Sequence, residues 1–259
     1  MTDKGTKKKL TVVGGGSAAP AAAAKEARVF TPTPESKSKA GRLRLFAILS
    51  WVLAIGLEIA AILLLLKPPV NTVWLIVLIG ADLIFAVIGS LLWKKANRFD
   101  PASRKNKLKF FVQNQLGLII AIIAFLPLVI LVFTNKDLSG KQKGVVGAVA
   151  IVALVIAGLM GTDFNPPSQE EYAAETSRVE QLTGANSVFW TKSGTRYHLY
   201  SDCYHINTSK TEEIFQGTVA QARELKNITE LCKTCEQRAA KEKESDPDKS
   251  LPDPENNLP

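Results

Sequence analysis

Apolar residues in this chain are concentrated in four long blocks, at about 45–66, 72–93, 110–133 and 144–161. Each block holds 18 or more mainly apolar residues. At about 1.5 Å per residue, this length gives roughly 27 Å or more, enough to cross the core of a bilayer. Buried helices of a soluble bundle would keep a polar face, and these blocks do not. The pattern predicts an α-helical integral membrane protein, with four transmembrane helices within residues 43–161.

The segments outside the apolar blocks are polar. Residues 1–42 are rich in Lys, Ala, Gly, Pro and Ser without an apolar period, which predicts a disordered basic tail. A proline pair and a capping box of Ser168 with Glu171 predict a helical spacer over 162–186, with its helix at about 169–182. Residues 244–259 have the composition of a disordered acidic tail.

Charge is distributed unevenly along the chain, whose formal net charge is +8. Residues 1–42 carry nine Lys or Arg against three acids, and residues 94–109 carry seven against one. Because basic loops favour the cytoplasmic side, this pattern predicts a cell-membrane protein with both termini in the cytoplasm. The lipid bilayer is therefore the first expected partner.

All three cysteines and both histidines fall within 38 residues, from His198 to Cys235. Three cysteines cannot close a disulfide framework without leaving one thiol over, so metal ligation fits their number better. Zn²⁺ prefers four nitrogen or sulfur ligands in a tetrahedron, and a Cys-x-x-Cys turn presents two sulfurs to one ion. The candidate zinc ligands are His198, Cys203, Cys232 and Cys235, with His205 as the alternative nitrogen ligand. A redox dithiol and unrelated core cysteines are the other interpretations.

The residues around these ligands predict a small α+β zinc-binding module over 187–243. Lys192-Ser193-Gly194 separates two strand-like runs, as in a β-hairpin, and Thr218 caps a short helix over 219–225. The aromatic side chains are expected to form the core of so small a module. They are Phe189, Trp190, Tyr197, Tyr200 and Tyr204. Residues 184–243 carry nine basic and seven acidic side chains, so nucleic acid is not an expected partner.

The run Thr191–Cys235 resembles the metal-binding module of the Ada DNA-repair protein and its relatives. The similarity lies in TKSGTRYH, a following cysteine, a helix containing alanine and a final Cys-x-x-Cys, and it covers about a fifth of the chain. In that family four cysteines bind zinc, and the first accepts a methyl group from a DNA phosphotriester. Here the first position falls on His198, and four residues separate it from Cys203 where the family has three. An imidazole is no such acceptor, so the resemblance implies zinc binding but not methyl transfer.

Two acids, Glu58 and Asp82, stand inside the first and second apolar blocks. Intramembrane carboxylates are candidates for functional sites. Counted from the short turn between the two blocks, both lie at a similar depth of roughly 12 to 15 Å. The sequence therefore predicts that they can meet, either as a proton or cation relay or as a pair that shares one proton and stabilises the helical hairpin.

These features together predict a multi-pass membrane protein that displays a zinc-stabilised module in the cytoplasm for binding or assembly. A protein partner and a homo-oligomer both fit this role, and the composition and module suggest a bacterial protein. No known catalytic constellation is present, so an enzyme is not expected. Two alternatives remain: a small transporter or channel subunit using Glu58 and Asp82, and a zinc-thiolate alkylation or redox sensor using Cys203.

Overall fold

The computed structural model of the protein describes residues 8–13 and 30–245, and the rest of the two predicted tails lies outside these residues. The chain divides into two compact units. One unit is Thr31–Ser168, and the other combines Met1–Phe30 with Gln169–Pro259. We call them the helical bundle and the C-terminal module.

The helical bundle contains four helices, each long and apolar enough to cross a membrane. They are α1 (Pro34–Leu65), α2 (Thr72–Phe99), α3 (Lys107–Thr134) and α4 (Gly140–Gly161). Each helix extends beyond its predicted apolar block mainly at an end that carries basic residues, and α4 begins four residues early, at Gly140. The bundle core is built mostly from alanine, leucine and other aliphatic side chains.

Helix α1 begins at Pro34, so part of the predicted disordered tail is helical. Thr33 caps the helix, because its hydroxyl oxygen accepts a hydrogen bond from the Ser36 amide at 3.1 Å. Pro34 is well placed at the first helical position, where its missing N–H costs nothing. Ala40, about two turns further, packs in a small cluster with Ala96 and Phe99 of α2. Local capping and packing therefore order a stretch that has no apolar period.

Hydrogen bonds between helix ends show an antiparallel arrangement of the bundle. Arg44 in α1 binds Asp100 after α2 at 2.7 Å, and Gln115 in α3 donates to the Asp163 carbonyl after α4 at 2.9 Å. At the opposite end, Asn135 donates to the Leu65 carbonyl at 2.9 Å. The start of α1, the end of α2, the start of α3 and the end of α4 therefore lie at one end of the bundle.

Small residues bring helices of the bundle close together. Ala153, Ala157 and Gly161 of α4 are all buried, in the small-xxx-small spacing visible in the sequence. A Cβ atom on Gly161 would lie 2.6 Å from the carbonyl carbon of Gly117 in α3. The two backbones therefore meet where neither helix carries a side chain.

The C-terminal module combines two small sheets with three helices. Its strands are β1 (Lys9–Val12), β2 (Val188–Thr191), β3 (Arg196–Tyr197), β4 (Glu213–Gly217) and β5 (Glu230–Leu231). Its helices are α5 (Gln169–Thr183), α6 (Val219–Lys226) and α7 (Lys233–Ser245). The larger sheet has the order β1-β4-β2, with β4 parallel to β1 and antiparallel to β2. The smaller sheet pairs β3 and β5 in parallel.

Strand β1 differs from the expectation of a disordered tail. Lys9–Val12 pairs with Glu213–Gln216, and the Val13 amide donates to the Gln216 carbonyl at 2.8 Å. These four residues alone do not predict a strand, because a strand this short is stable only when it pairs with a neighbouring strand. The ordering of this segment is therefore a tertiary effect.

Helix α5, predicted as a spacer helix, packs within the C-terminal module. Tyr172 and Val179 on one face of α5 are buried, and Val179 belongs to the core of the module. Arg223 of α6 is buried and forms ion pairs with Glu171 at 2.7 Å and Glu175 at 2.6 Å, both on α5. The sequence pattern predicted the helix but did not predict that one of its faces is buried in the module.

Candidate metal centre

The position of His198 is determined by backbone hydrogen bonds. The His198 amide donates to the Phe189 carbonyl and the Phe189 amide donates to the His198 carbonyl, both at 2.7 Å. The turn at Lys192-Ser193-Gly194 is closed by a bond from the Gly194 amide to the Thr191 carbonyl at 3.2 Å. The predicted hairpin therefore forms, and it places a buried imidazole immediately after β3.

Cys203 lies in a tight series of turns after β3. Its carbonyl accepts hydrogen bonds from the Ile206 amide at 3.0 Å and the Asn207 amide at 2.8 Å. Its own amide donates to the Tyr200 carbonyl at 3.3 Å. These bonds fold the loop back on itself and turn the Cys203 thiol inward, where it is buried.

Cys232 and Cys235 flank the start of α7. The Cys232 amide donates to the Tyr197 carbonyl at 2.9 Å, which joins this turn to the strand that carries His198. Burial raises the pKa of the Cys232 thiol, but hydrogen bonds from the Cys235 and Thr234 amides and from the other two thiols outweigh it, and the net pKa is lowered. Backbone N–H groups therefore support a thiolate here, as in metal-binding Cys-x-x-Cys turns.

The structure brings these four side chains together. The potential ligand atoms of His198, Cys203, Cys232 and Cys235 all lie within 4.8 Å of one another, and all four residues are buried. Nδ1 of His198 lies 3.6 Å from Sγ of Cys235. With bonds of about 2.0 Å to nitrogen and 2.3 Å to sulfur, two ligands on a tetrahedral zinc ion are roughly 3.5 Å apart. The cluster could therefore hold a metal ion.

The electrostatics of the cluster suit a cation. Burial lowers the pKa of His198 to about 4, with smaller contributions from His205 and Arg196. The imidazole is therefore neutral at physiological pH and keeps a lone pair for a metal. Burial also raises the pKa of Cys235 to about 12. A bound cation would offset this cost, since metal ligation requires the thiolate.

His205, the alternative nitrogen ligand, lies outside the cluster. Its Nε2 atom is 3.3 Å from the hydroxyl of Thr234, and its ring packs against Tyr204 with centroids 4.0 Å apart. The centroids of the two histidine rings are 6.3 Å apart. The structure therefore selects His198 and leaves His205 on the exposed side of the site.

Charged side chains surround the cluster on its outer side. Arg238 of α7 binds both carboxylate oxygens of Asp202 at 3.0 and 3.1 Å, and its guanidinium lies 4.0 Å from the centre of the Tyr200 ring. Glu242 accepts hydrogen bonds from Arg238 at 2.9 Å and from the Tyr200 hydroxyl at 2.6 Å. This network ties α7 to the loop that carries Cys203. A cavity of about 190 Å³ in the same region is lined partly by Cys203 and Cys235.

The aromatic residues divide between core and surface. Trp190 and Tyr197 are each 1% exposed and belong to the module core, and Trp190 stacks on Phe215 with ring centroids 6.2 Å apart. Tyr204 is exposed. The expectation that these aromatic side chains form the core is confirmed for Trp190 and Tyr197, is met in part by Phe189 and Tyr200, and is wrong for Tyr204. Phe215, which is partly buried against the core, was not among the expected residues.

The two intramembrane acids come together in the bundle. Glu58 of α1 and Asp82 of α2 are buried, and each carboxyl group is close enough to act on the other electrostatically. None of their four carboxyl oxygens has a hydrogen-bond partner among the residues that the structure describes. The pair is therefore a buried acidic contact between α1 and α2.

Comparison of this chain with protein-family models, with curated proteins and with solved structures finds no match. The resemblance to the Ada module therefore rests on the residues of this chain alone.

Proposed function

We propose that this protein is a multi-pass membrane protein that displays a zinc-stabilised, Ada-like module for binding or assembly at the membrane. The observation that carries the proposal is the convergence of one buried imidazole and three buried thiols within 4.8 Å. This combination of one nitrogen and three sulfur ligands is typical of structural zinc sites. His198 through Nδ1 and the three cysteine sulfurs would hold the ion.

A stabilising role for zinc follows from how the module is built. The ligands come from three separate places in the chain: the end of β3, the following loop and the start of α7. One ion would therefore cross-link all three segments, in addition to the hydrogen bonds that already join them. In metal-binding domains this small, binding of the metal supplies a large part of the folding free energy.

The distribution of charge supports a cytoplasmic module. The end of the bundle that includes the start of α1 and the end of α2 carries most of the basic residues, among them Arg42, Arg44, Lys94 and Lys95. Basic residues near the ends of transmembrane helices favour the cytoplasmic side. We infer that both termini face the cytoplasm, and that the partner of the module is a cytoplasmic protein or a second copy of the chain.

Metal analysis of the whole chain tests the proposal. We expect protein purified in detergent without added metal to contain about one zinc per chain, as a site with four protein ligands predicts. Cys235→Ser and His198→Ala should each lose most of the metal. His205→Ala is the matched control and should keep it, because this histidine lies outside the cluster.

Chelation should then unfold the module selectively. Hydrogen exchange followed by mass spectrometry would show increased exchange in peptides from 187–243 and unchanged exchange in α1 to α4. Equal metal content in the His198→Ala and His205→Ala variants, or a native chain without metal, would contradict the proposed zinc site.

A further inference from the structure

Strand β1 occupies the edge of the larger sheet of the module. It is parallel to β4, in a register that sets Lys9 beside Glu213 and Val12 beside Gln216. The amides of Lys9 and Val13 donate to carbonyls on the β4 side, at 3.3 and 2.8 Å. Successive backbone amides of a strand point to opposite edges of that strand. The amide of Thr11 therefore also faces β4, and the amide of Val12 faces away.

Polar side chains make the contact between β1 and its neighbours selective. Nζ of Lys8 donates to Oδ1 of Asn207 at 2.6 Å and to the Thr208 carbonyl at 2.7 Å. The Thr11 hydroxyl donates to Glu213 at 2.5 Å, and Nζ of Lys9 lies 3.4 Å from the same carboxylate. The edge of β4 therefore presents oxygen acceptors and a negative charge to a basic strand that carries a hydroxyl.

Strand β1 contributes little to the apolar core. Leu10 is 52% exposed and Val12 is 66% exposed, whereas Val188 and Trp190 of β2, on the other side of β4, are almost completely buried. The core of the module is therefore closed by β2, and β1 is held mainly by backbone and polar contacts. A segment bound in this way can be replaced by another of the same chemistry.

Space remains beside the strand. A cavity of about 310 Å³ is lined by Leu10 together with Lys8, Ser201, Asp202 and Ile214, among others. Leu10 fills it only in part, since more than half of its surface is exposed. A larger apolar side chain at this position would fill more of the cavity.

We propose that the edge of β4 is a docking site for an extended, basic peptide segment, and that the chain covers this site with its own residues 8–13. Strand addition of this kind takes its affinity from main-chain hydrogen bonds and its selectivity from alternate side chains. The preferred segment has Lys at the position of Lys8, a hydroxyl at the position of Thr11 and a large apolar residue between them. This inference rests on the binding role proposed above and gives it a partner chemistry, but it does not depend on the metal.

Peptide binding to the whole chain tests this proposal. The probe is a fluorescent peptide with the sequence of residues 7–14, and the receptor is the full chain in detergent, either intact or lacking residues 1–13. We expect the peptide to bind the truncated chain and to bind the intact chain about tenfold or more weakly, because the tethered strand competes at high effective concentration.

Two proline variants of the peptide form a matched pair. Thr11→Pro removes both an amide that faces β4 and the hydroxyl that donates to Glu213, and it should weaken binding about tenfold or more. Val12→Pro removes an amide that faces away and should be tolerated, as proline is on edge strands. Leu10→Trp should bind more tightly than the original. Glu213→Lys in the receptor should weaken every peptide.

The possible outcomes separate the proposal from its rivals. Failure of the peptide to bind a folded truncated chain, or equal binding of the two proline variants, would overturn it. A truncated chain whose module no longer folds would also overturn it, because β1 would then be a structural strand. Zinc content measured on the same samples shows independently whether the metal site is intact. Dimers of the intact chain that dissociate on addition of the peptide would identify a second copy as a natural source of the segment.

Discussion

The helical bundle and the C-terminal module bury charged groups in different ways. In the bundle, Glu58 and Asp82 lie side by side, and their carboxyl oxygens have no hydrogen-bond partner among the described residues. In the module, Arg223 is equally buried but is held between Glu171 and Glu175 and lies 4.8 Å from the centre of the Tyr172 ring. In the module, the buried charge of Arg223 joins two helices. In the bundle, the buried groups are two acids, which repel each other when both are ionised.

The cores of the two units differ for the same reason. The bundle is held by long apolar helices with alanine and glycine at the contacts, and its exposed leucines and isoleucines suit a lipid environment. The module is small, and its core combines aliphatic side chains with Trp190 and Tyr197, a paired arginine and a His/Cys cluster that could hold a metal ion. Both units also bury hydrogen-bonded polar groups, such as Ser50 and Asn97 in the bundle, so the contrast lies in how their buried charges are paired.

The largest effect in this comparison is expected at Arg223. Arg223→Met keeps much of the side-chain volume but leaves Glu175 without its counter-charge, and losing one partner of a buried ion pair costs about 3–5 kcal/mol. Hydrogen exchange of module peptides in the whole chain would measure the loss. Arg196→Met is the control, because Arg196 and Glu230 are exposed and such pairs contribute about 1 kcal/mol or less. Equal effects of the two substitutions would mean that the Arg223 network does not stabilise the module.

A smaller effect is expected where α3 and α4 meet. Gly161→Ala places a Cβ atom against the backbone of Gly117, and overpacking of this kind costs about 1–3 kcal/mol. Gly158→Ala on the same helix is the control, since its Cβ would lie 3.6 Å from a Leu118 methyl group, an ordinary contact. Unfolding of the bundle in mixed detergent micelles would compare them. A Gly161→Ala variant as stable as Gly158→Ala would show that the helices separate at no cost.

The smallest effect on stability is expected at the acid pair. Glu58→Gln with Asp82→Asn keeps the shape of both side chains and removes their charge, so we expect normal insertion and a change of about 1 kcal/mol or less in the free energy of unfolding. Proton and cation flux into vesicles should be measured on the same variant. Flux in the original protein that disappears in the variant would favour the transporter interpretation, and unchanged flux would remove it.

The apolar blocks and the cysteine spacing carried most of the sequence-based prediction. Four membrane-length helices follow from block length, and the Thr218 cap correctly preceded a helix, which runs over Val219–Lys226. The expectation of a disordered tail was wrong for Lys9–Val12 and for the start of α1. Both segments lack an apolar period and are ordered by contacts with residues remote in sequence. For the same reason, the sequence did not predict that α5 is buried against α6.

The sequence by itself determined the number of long apolar helices and the small set of side chains able to bind a soft metal. These are local properties, because they depend on the length and type of residues within one segment. Only the tertiary structure decided that His198 and not His205 joins the three cysteines, that Arg223 binds two acids of α5, and that Lys8 contacts Thr208, 200 residues away. Such choices depend on which surfaces of distant segments fit together, and no single segment carries that information.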